Sequence, residues 1–304
     1  MKKVIFDCDN TMGLYGKDVD DGLALLYLLG RSDIELIGVT TTFGNSTIED
    51  VHNNTVKMFD ELNINHIPLI KGAASIDDRQ SNASQFLVDM VNNAPSEITV
   101  LATGSLTNLF GAYQLDNNFF TKVKEIVLMG GITKPLIIEG KVMNELNFSS
   151  DALAAYTVLS SGAKVTILTG HICLQAFFGK KEFERLMNDD TIEAYRYIKN
   201  KSYEWYKYFI DLYNSKGFYN WDIVAAVYIS IPELFDENFE NVVSTVDDLK
   251  TGFLKIDIYS SNSYKINIPY VIKNVNKFNE IIFEAWKNAE IGNLVISPND
   301  TQKN

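Results

Sequence analysis

Apolar runs and polar segments alternate along most of the chain with the periods typical of strands and helices. Short apolar runs predict buried strands at residues 4–6, 35–41, 67–70, 98–102, 125–129 and 164–168. Helical spacing follows most of these strands, at residues 22–29, 46–62, 83–93, from 103–105 onward, and at 151–161. Strands that alternate with helices predict an α/β fold, with a mostly parallel open sheet flanked by helices. Residues 71–82 and 132–143 have no clear period, and we expect loops there.

The pattern changes after residue 176. Residues 180–215 have helical spacing with no intervening strand, which predicts two helices that form a cap over the active edge of the sheet. Residues 222–231 predict a buried helix that begins at an acid, and 278–289 a final amphipathic helix. Residues 241–246, 254–259 and 264–268 predict β structure, the last two as a small C-terminal β-hairpin. Since no repeat or linker interrupts the pattern, we expect one domain over residues 1–304.

Composition narrows the possible partners and location. The chain has 304 residues, 46% of them apolar, and a formal net charge of −12, which disfavours nucleic acid and anionic membranes as partners. Two cysteines, Cys8 and Cys173, make no disulfide framework. No apolar run approaches the roughly 20 residues of a membrane span, and the first residues do not resemble a signal peptide. We therefore expect a cytoplasmic protein.

Five aspartates lie within fifteen residues of one another near the start of the chain. They are Asp7, Asp9, Asp18, Asp20 and Asp21. Some of them are explained as helix caps or turn formers, a plausible interpretation for Asp18 and in part for Asp20. That interpretation does not account for Asp7 and Asp9, which directly follow a buried strand. Carboxylates this close repel one another unless protons or a cation compensate, so the cluster predicts a site for a hard divalent cation.

Further polar residues follow the later strands. They are Asn45, the turn at residues 129–131, the stretch at 144–147, and Asp222 at the start of a late helix. Ligands of open α/β sheets bind outside the carboxyl ends of the strands, where these residues are expected to meet. A crevice lined with carboxylates and carboxamides suits a ligand that carries several hydroxyl groups.

In chain order, these segments read FDCD, VDDGLAL, TTFGN, ATGSLTN, IVLMGG, ELNFSSDALAA and WDIVAA. The set resembles the inosine–uridine nucleoside hydrolase family, over about residues 3–290. The resemblance implies a parallel α/β enzyme that cleaves the N-glycosidic bond of ribonucleosides to ribose and free base, in nucleoside salvage. It also implies one Ca²⁺, an activated water, and a homo-oligomer, either dimer or tetramer.

The resemblance also assigns individual roles. Asp9 becomes the general base and a calcium ligand, with Asp21, Asp222 and the backbone carbonyl of Leu128 as further ligands. The residues expected to bind the ribose hydroxyls and help place the metal are Asp20, Asn45, Glu145 and Asn147. Asp7 has a supporting place in this scheme.

Three departures from the family pattern affect these expectations. Residues 10–19 separate Asp9 from the Asp20–Asp21 pair, where the family has three residues. Trp221 stands before the late aspartate, where the family often has a histidine that serves the leaving base. A tryptophan there resembles the purine-specific branch, although it is equally well explained as a core residue. The family's other site histidine has no counterpart. His171 follows a strand and is the remaining candidate proton donor, although such a histidine is more often a turn residue.

Two other functions fit parts of the sequence. VIFDCDNT matches the nucleophile motif of haloacid-dehalogenase-like phosphatases, with Asp7 as nucleophile and Mg²⁺ as cofactor. That match is local and leaves the ELNF and WD segments unexplained. A nucleoside- or ribose-binding protein without turnover is the other alternative, which only the missing histidines support.

Overall fold

The computed structural model describes residues 1–289 and 291; the end of the expected domain, residues 290 and 292–304, lies outside the described residues. The strands are β1 Lys2–Cys8, β2 Ile34–Thr41, β3 Leu69–Lys71, β4 Ile98–Ala102, β5 Glu125–Met129, β6 Leu136–Ile138, β7 Lys141–Met143, β8 Val165–Leu168, β9 Phe177–Gly179, β10 Gly217–Tyr219, β11 Phe239–Val242 and β12 Tyr264–Asn267. The helices are α1 Asp20–Leu29, α2 Ile48–Glu61, α3 Asn82–Asn93, α4 Thr107–Leu115, α5 Phe119–Lys122, α6 Asn147–Ser150, α7 Ala152–Leu159, α8 Gly170–Cys173, α9 Lys180–Met187, α10 Glu193–Tyr213, α11 Trp221–Ser230, α12 Val246–Leu249 and α13 Val275–Asn288.

Eight strands form the main sheet, in the order β11-β12-β8-β5-β4-β1-β2-β3. All neighbouring pairs are parallel except β11 and β12, which confirms the expected mostly parallel α/β fold. The chain runs outward from β1 through β2 and β3, then returns to place β4 on the other side of β1. This reversal makes a crevice at the carboxyl ends of β1 and β4, where open α/β sheets bind their ligands.

Helices cover both faces of the sheet, over two separate apolar cores. Residues of α1, α10, α11 and α13 share one core with the sheet face that includes Val4 and Phe6. Residues of α3, α4 and α7 share the other with the opposite face, including Ile5. Adjacent β1 residues alternate between these cores because successive strand side chains point to opposite faces. The apolar run at the start of the chain is therefore a central strand buried on both sides.

Two segments differ from the expectation. The loop expected at residues 132–143 contains an antiparallel hairpin, β6–β7, in which Ile137 pairs with Val142. Its short strands join through Glu139 and Gly140, both at positive φ, and such three-residue strands are too short to give a readable period. The prediction of the C-terminal hairpin was wrong about the strand pairing: β12 pairs with β11 and not with residues 254–259. That segment makes a single bridge, Val242 to Ile256, and otherwise runs as a connection beside β11.

The two helices expected in residues 180–215 are α9 and α10. Among the residues described, none in that range lines the cavity that contains Asp20 and Asp222, and a capping role stays a prediction. Helix α10 packs against α13 and the loop at residues 10–19, with Lys201 against Gly13 and Tyr208 against Gly16. Both glycines have positive φ, which a residue with a side chain rarely adopts.

No helix in the described part of the chain combines the length and the apolar character needed to cross a lipid bilayer.

One buried glycine tests the packing of α3 against α4. An alanine in a helix interior is normally more stable than glycine by about 0.5–1 kcal/mol. At Gly111 a Cβ atom would lie 1.7 Å from the Arg79 carbonyl oxygen. We therefore expect Gly111→Ala to destabilise the protein instead of stabilising it. Overpacking of this kind costs about 1–3 kcal/mol. Urea unfolding measures the change in the free energy of unfolding for Gly111→Ala. The control is Gln114→Ala, on the exposed side of α4. A Gly111→Ala protein more stable than the unaltered one would contradict this packing.

Candidate active site

A cavity lies at the carboxyl ends of the central strands, where open α/β sheets bind their ligands. Four carboxylates line it together with amide, backbone and apolar groups. The lining residues are Asp18, Asp20, Asn45, Thr103, Met129, Gly131, Ile132, Leu136, Met143, Asn144, Glu145, Leu146, Asn147, Gly170, Trp221 and Asp222. The structure thus brings together side chains that follow β1, β2, β4 and β5, as the sequence pattern predicts.

Asp9 lies at the end of β1 and is fully buried. Its Oδ2 accepts a hydrogen bond from the backbone N–H of Asn45 at 2.6 Å, and its Oδ1 accepts one from the Asn45 side-chain amide at 3.3 Å. A Cβ atom at Gly44 would lie 2.0 Å from Asp9 Oδ2. The TTFGN segment therefore needs glycine at this position because the backbone approaches the carboxylate closely.

Three buried aspartates form a group that can hold a metal ion. One ligand atom from each of Asp20, Asp21 and Asp222 lies within 4.8 Å of the others. The loop at residues 10–19 therefore returns the chain to the site, and its extra length does not prevent Asp20 and Asp21 from lying close to Asp222. Asp9 joins the group because its carboxyl group is within hydrogen-bonding range of that of Asp21.

The donor set fits a hard cation. Asp21 Oδ1 accepts a hydrogen bond from Thr103 at 2.6 Å, whereas its buried Oδ2 has no partner. Burial raises the pKa of Asp21 and of Asp222 well above the usual value, and the neighbouring carboxylates raise both further. Burial raises the pKa of Asp20 to about 6. Buried carboxylates in mutual contact are stable in their charged form only with a compensating cation, and oxygen atoms are what Ca²⁺ or Mg²⁺ would bind.

Glu145 and Asn147 approach the cavity from the segment before α6. Glu145 accepts hydrogen bonds from the backbone N–H groups of Gly131, Phe148 and Ser149 at 2.8–3.1 Å, which fixes its carboxylate. Asn147 donates to the carbonyl of Met129 at 3.0 Å. Asn147 thus uses its amide nitrogen within the protein, which leaves its amide oxygen for a ligand.

The remaining expected site residues differ in their placement. Trp221 lies in the cavity wall, directly before Asp222 on α11. His171 does not line the cavity within the described residues; its Nε2 lies 3.1 Å from the carbonyl oxygen of Lys134. Leu128 lies inside β5, paired with β4 and β8, one residue before the cavity-lining Met129. The roles assigned to His171 and Leu128 stay predictions.

Asp7 is fully buried behind the cavity. Its Oδ1 accepts hydrogen bonds from Thr40 at 2.5 Å and from Asn108 at 2.7 Å. Asn108 also donates to the Thr41 carbonyl and accepts from the backbone of Ala73, so it ties three strand ends together. A carboxylate enclosed in this way has no access to a phosphate ester, which argues against a nucleophilic Asp7.

Sequence reasoning missed three residues of the site. Thr103 holds Asp21, Asn108 holds Asp7, and Asp18 lines the cavity beside Asp20. The polar ATGSLTN segment after β4 was the available signal for Thr103 and Asn108. Asp18 was within the aspartate cluster, but its spacing alone did not separate a cavity residue from a turn former.

A family comparison agrees with this geometry. Residues 4–280 match the model of the family described as inosine-uridine preferring nucleoside hydrolase. The chain belongs to that family.

The chain is also similar to individual proteins that are named as nucleosidases or nucleoside hydrolases. It is 29% identical over 218 residues to the probable uridine nucleosidase 2 of Oryza sativa, a match that spans 62% of each chain. It is 28% identical over 226 residues to the inosine-uridine preferring nucleoside hydrolase of Crithidia fasciculata, spanning 64% of this chain and 68% of that one. The match thus covers less than two thirds of the rice relative.

Solved structures share the fold. A plant nucleoside hydrolase has a TM-score of 0.83 at 21% identity, over 94% of this chain and 99% of that one. The purine-preferring ribonucleoside hydrolase from Gardnerella vaginalis has a TM-score of 0.80 at 24% identity, over 96% and 100%. At these identities the likeness establishes the fold alone.

The carboxylate cluster predicts how the stability of metal-free protein depends on pH. Because the folded-state pKa of Asp20 is raised from 3.8 to about 6, the folded chain binds more protons than the unfolded chain between these values. The contribution of the cluster to stability therefore falls as pH rises through that window. We expect added Ca²⁺ to raise the Tm more at pH 7.5 than at pH 5. At a hundredfold excess of Ca²⁺ over its dissociation constant, the rise at pH 7.5 should be about 5 °C.

Thermal scans in EGTA and in Ca²⁺ at both pH values measure this effect. Asp222→Asn removes one repelling charge, so it should raise the metal-free Tm at pH 7.5 and weaken the Ca²⁺ response. The control is Asp60→Asn, at an exposed position of α2, which should leave both unchanged. Equal Ca²⁺ responses in the Asp222→Asn and unaltered proteins would contradict a metal at this cluster.

Proposed function

We propose that this chain hydrolyses the N-glycosidic bond of ribonucleosides to ribose and free base. The observation that carries the proposal is the acidic group Asp20, Asp21 and Asp222, with Asp9 in contact with it, at the cavity of a chain from this family. Phosphate-binding groups do not accompany it: among the described residues that line the cavity, none is basic. A neutral ligand with several hydroxyl groups matches such a lining best.

Ca²⁺ is the metal we propose, held by Asp9, Asp21, Asp222 and the carbonyl of Leu128. When bound, it supplies a positive charge that lowers the pKa of a water molecule and orients neighbouring hydroxyl groups. The contact of Asp9 with Asp21 and the unpartnered Oδ2 of Asp21 support this assignment. The preference of Ca²⁺ for six to eight oxygen ligands leaves places for water and sugar hydroxyls.

Asp9 is proposed as the general base. Both of its oxygens are oriented by Asn45, a residue that lines the cavity, and this limits the freedom of the Asp9 carboxylate. A carboxylate held in this manner takes the proton of the attacking water as the water oxygen bonds to C1′ of the ribose. The same two hydrogen bonds favour the charged form of Asp9 and partly offset the effect of burial on its pKa.

Asp20, Asn45, Glu145 and Asn147 are proposed to bind the ribose. All four line the cavity, and Glu145 and Asn147 are fixed by hydrogen bonds to backbone groups. Fixed acceptors discriminate well, because a ligand that lacks a hydroxyl leaves them unpaired. The transition state of glycoside cleavage carries positive charge on the sugar, which the surrounding carboxylates stabilise.

Trp221 is the proposed contact for the base. Trp221 lines the cavity, and stacking of its indole on a purine would favour the protonated ring, which is the better leaving group. His171 is the alternative proton donor proposed from the sequence, although it binds the Lys134 carbonyl outside the cavity lining. A homo-oligomeric state, a cytoplasmic location and a role in salvage are proposals that rest on the resemblance alone.

The Asp9 assignment predicts a large loss of turnover without loss of structure. Loss of a general base costs on the order of 10²–10⁴-fold in rate, so Asp9→Asn should lower kcat for inosine or uridine by that amount. Asp7→Asn should cost far less, since the Asp7 carboxylate accepts hydrogen bonds from Thr40 and Asn108, whereas Asp9 contacts the acidic group itself. Steady-state kinetics, with the Ca²⁺-induced Tm shift to confirm that metal still binds, gives the comparison. A greater loss for Asp7→Asn would favour the phosphatase alternative.

The Trp221 assignment predicts a dependence on the leaving group. The p-nitrophenolate of p-nitrophenyl riboside leaves without a proton, whereas the base of inosine does not leave readily until it is protonated. If stacking promotes that protonation, Trp221→Ala should lower kcat/KM for inosine at least tenfold more than for p-nitrophenyl riboside. The matched variant His171→Ala should change this ratio little. An unchanged inosine rate in Trp221→Ala would remove both the stacking role and the purine preference.

A further inference from the structure

A lysine of the loop at residues 10–19 is connected to the proposed general base through one residue. The Lys17 ammonium group donates a hydrogen bond to the backbone carbonyl of Asn45 at 2.6 Å. Asn45 in turn donates to both oxygens of Asp9, from its backbone N–H at 2.6 Å and from its side-chain amide at 3.3 Å. Lys17, Asn45 and Asp9 therefore form a continuous hydrogen-bonded chain that begins in this loop.

The contact at the Asn45 carbonyl restricts the backbone that presents the Asn45 N–H to Asp9. Peptide groups are planar, so a residue with its N–H and its carbonyl both held has little freedom left in its two backbone dihedrals. Gly44 directly precedes Asn45, and a glycine backbone is conformationally permissive. A hydrogen bond from an ammonium group is roughly twice as strong as one between neutral groups. Lys17 therefore stabilises a segment that Gly44 alone would leave free to move.

The loop holds the backbone of Lys17 at a defined position. Its first residues, 10–12, are almost fully buried, and Asn54 of α2 donates to two carbonyls of this stretch, at 3.3 and 3.2 Å. Two turns then lead to the lysine: the N–H of Leu14 donates to the Thr11 carbonyl at 2.9 Å, and the N–H of Lys17 donates to the Leu14 carbonyl at 3.3 Å. The lysine side chain thus extends from a fixed backbone, as a group that supports a catalytic site requires.

Lys17 supports the site without entering the cavity. It is not among the described residues that line the cavity, and none of those is basic. An ammonium group in direct contact with Asp9 would compete with a metal ion for the carboxylate oxygens. Contact through the carbonyl of Asn45 orients the carboxylate and leaves its charge available.

We propose that Lys17 is a positioning residue for the general base, because its contact with the Asn45 carbonyl keeps Asp9 in the orientation that accepts the proton of the attacking water. This proposal rests on the proposed hydrolase function and adds a residue to it. The water proton passes to an oxygen of Asp9 as the water oxygen bonds to C1′, and Lys17 remains an ammonium ion throughout. Misplacement of a reacting group lowers the rate of the chemical step, so the effect of Lys17 should appear in kcat.

The first test measures kcat and KM for inosine in the presence of Ca²⁺. Lys17→Met removes the donor and keeps the apolar stem, so kcat should fall on the order of tenfold while KM stays within about twofold. Lys17→Arg keeps a charged donor and should restore kcat to within about threefold of the unaltered protein. The control Lys57→Met, on the exposed side of α2, changes the net charge equally and should leave both constants unchanged. The Ca²⁺-induced Tm shift of each variant confirms that it folds and binds metal.

The second test repeats Lys17→Met in the Asp9→Asn protein. If Lys17 acts through Asp9, the added substitution should lower kcat by less than about twofold there, because the group that it positions is already lost. An equal loss of kcat in both backgrounds would indicate a general structural effect or an effect through the proposed ribose contact of Asn45, and it would overturn the inference.

Two further outcomes separate this inference from the proposed function. Inosine cleavage with the same kcat in Lys17→Met as in Lys57→Met, or a loss confined to KM, overturns the positioning role and leaves the hydrolase function standing. If the unaltered protein releases no base from inosine, uridine or p-nitrophenyl riboside in Ca²⁺, the proposed function itself is overturned.

Discussion

Mutual repulsion among buried carboxylates is the constraint on which this site depends. The fold brings Asp9, Asp20, Asp21 and Asp222 together at the carboxyl ends of the central strands. Burial raises the pKa of each, and neighbouring carboxylates raise those of Asp20, Asp21 and Asp222 further. Without a cation such an arrangement costs free energy, so it is expected only where the folded protein binds one. The cavity and the residues proposed to bind the sugar lie beside this group. The sheet makes this possible because its chain reverses direction beside β1.

The surrounding structure supports the cluster through hydrogen bonds rather than through opposite charges. Asn45 orients Asp9, Thr103 holds Asp21, and Asn108 holds the buried Asp7 behind them. Neutral donors stabilise ionised carboxylates without neutralising them, so the cluster keeps its affinity for a cation. A lysine or arginine at any of these positions would satisfy a carboxylate and compete with the metal. Among the described residues, the cavity lining contains no lysine or arginine, which is consistent with carboxylates that are supported by neutral donors and left free to bind a cation.

The sequence predicted the central strands well because each is a continuous apolar run between helices, as β4 and β5 show with bounds identical to those expected. It also predicted which polar residues meet at the cavity for a related reason: polar residues directly after such strands have few structural explanations. It failed at β6–β7 and at the partner of β12, where three- or four-residue strands leave no readable period and pairing depends on distant segments. Asp18 was missed because only the path of the loop shows that its side chain reaches the cavity.

The length of that loop has a consequence for the lining of the cavity. A short connection between Asp9 and the Asp20–Asp21 pair would deliver the metal-binding carboxylates and nothing else. The longer loop delivers the same pair, adds Asp18 to the cavity, and rests against α10 through Gly13 and Gly16. Helix α10 in turn ends at Tyr213, where the charge of Asp18 contributes to raising the pKa of the phenol. Helix α10 is therefore connected to the cavity through this loop, because the loop packs against α10 on one side and supplies Asp18 to the cavity lining on the other.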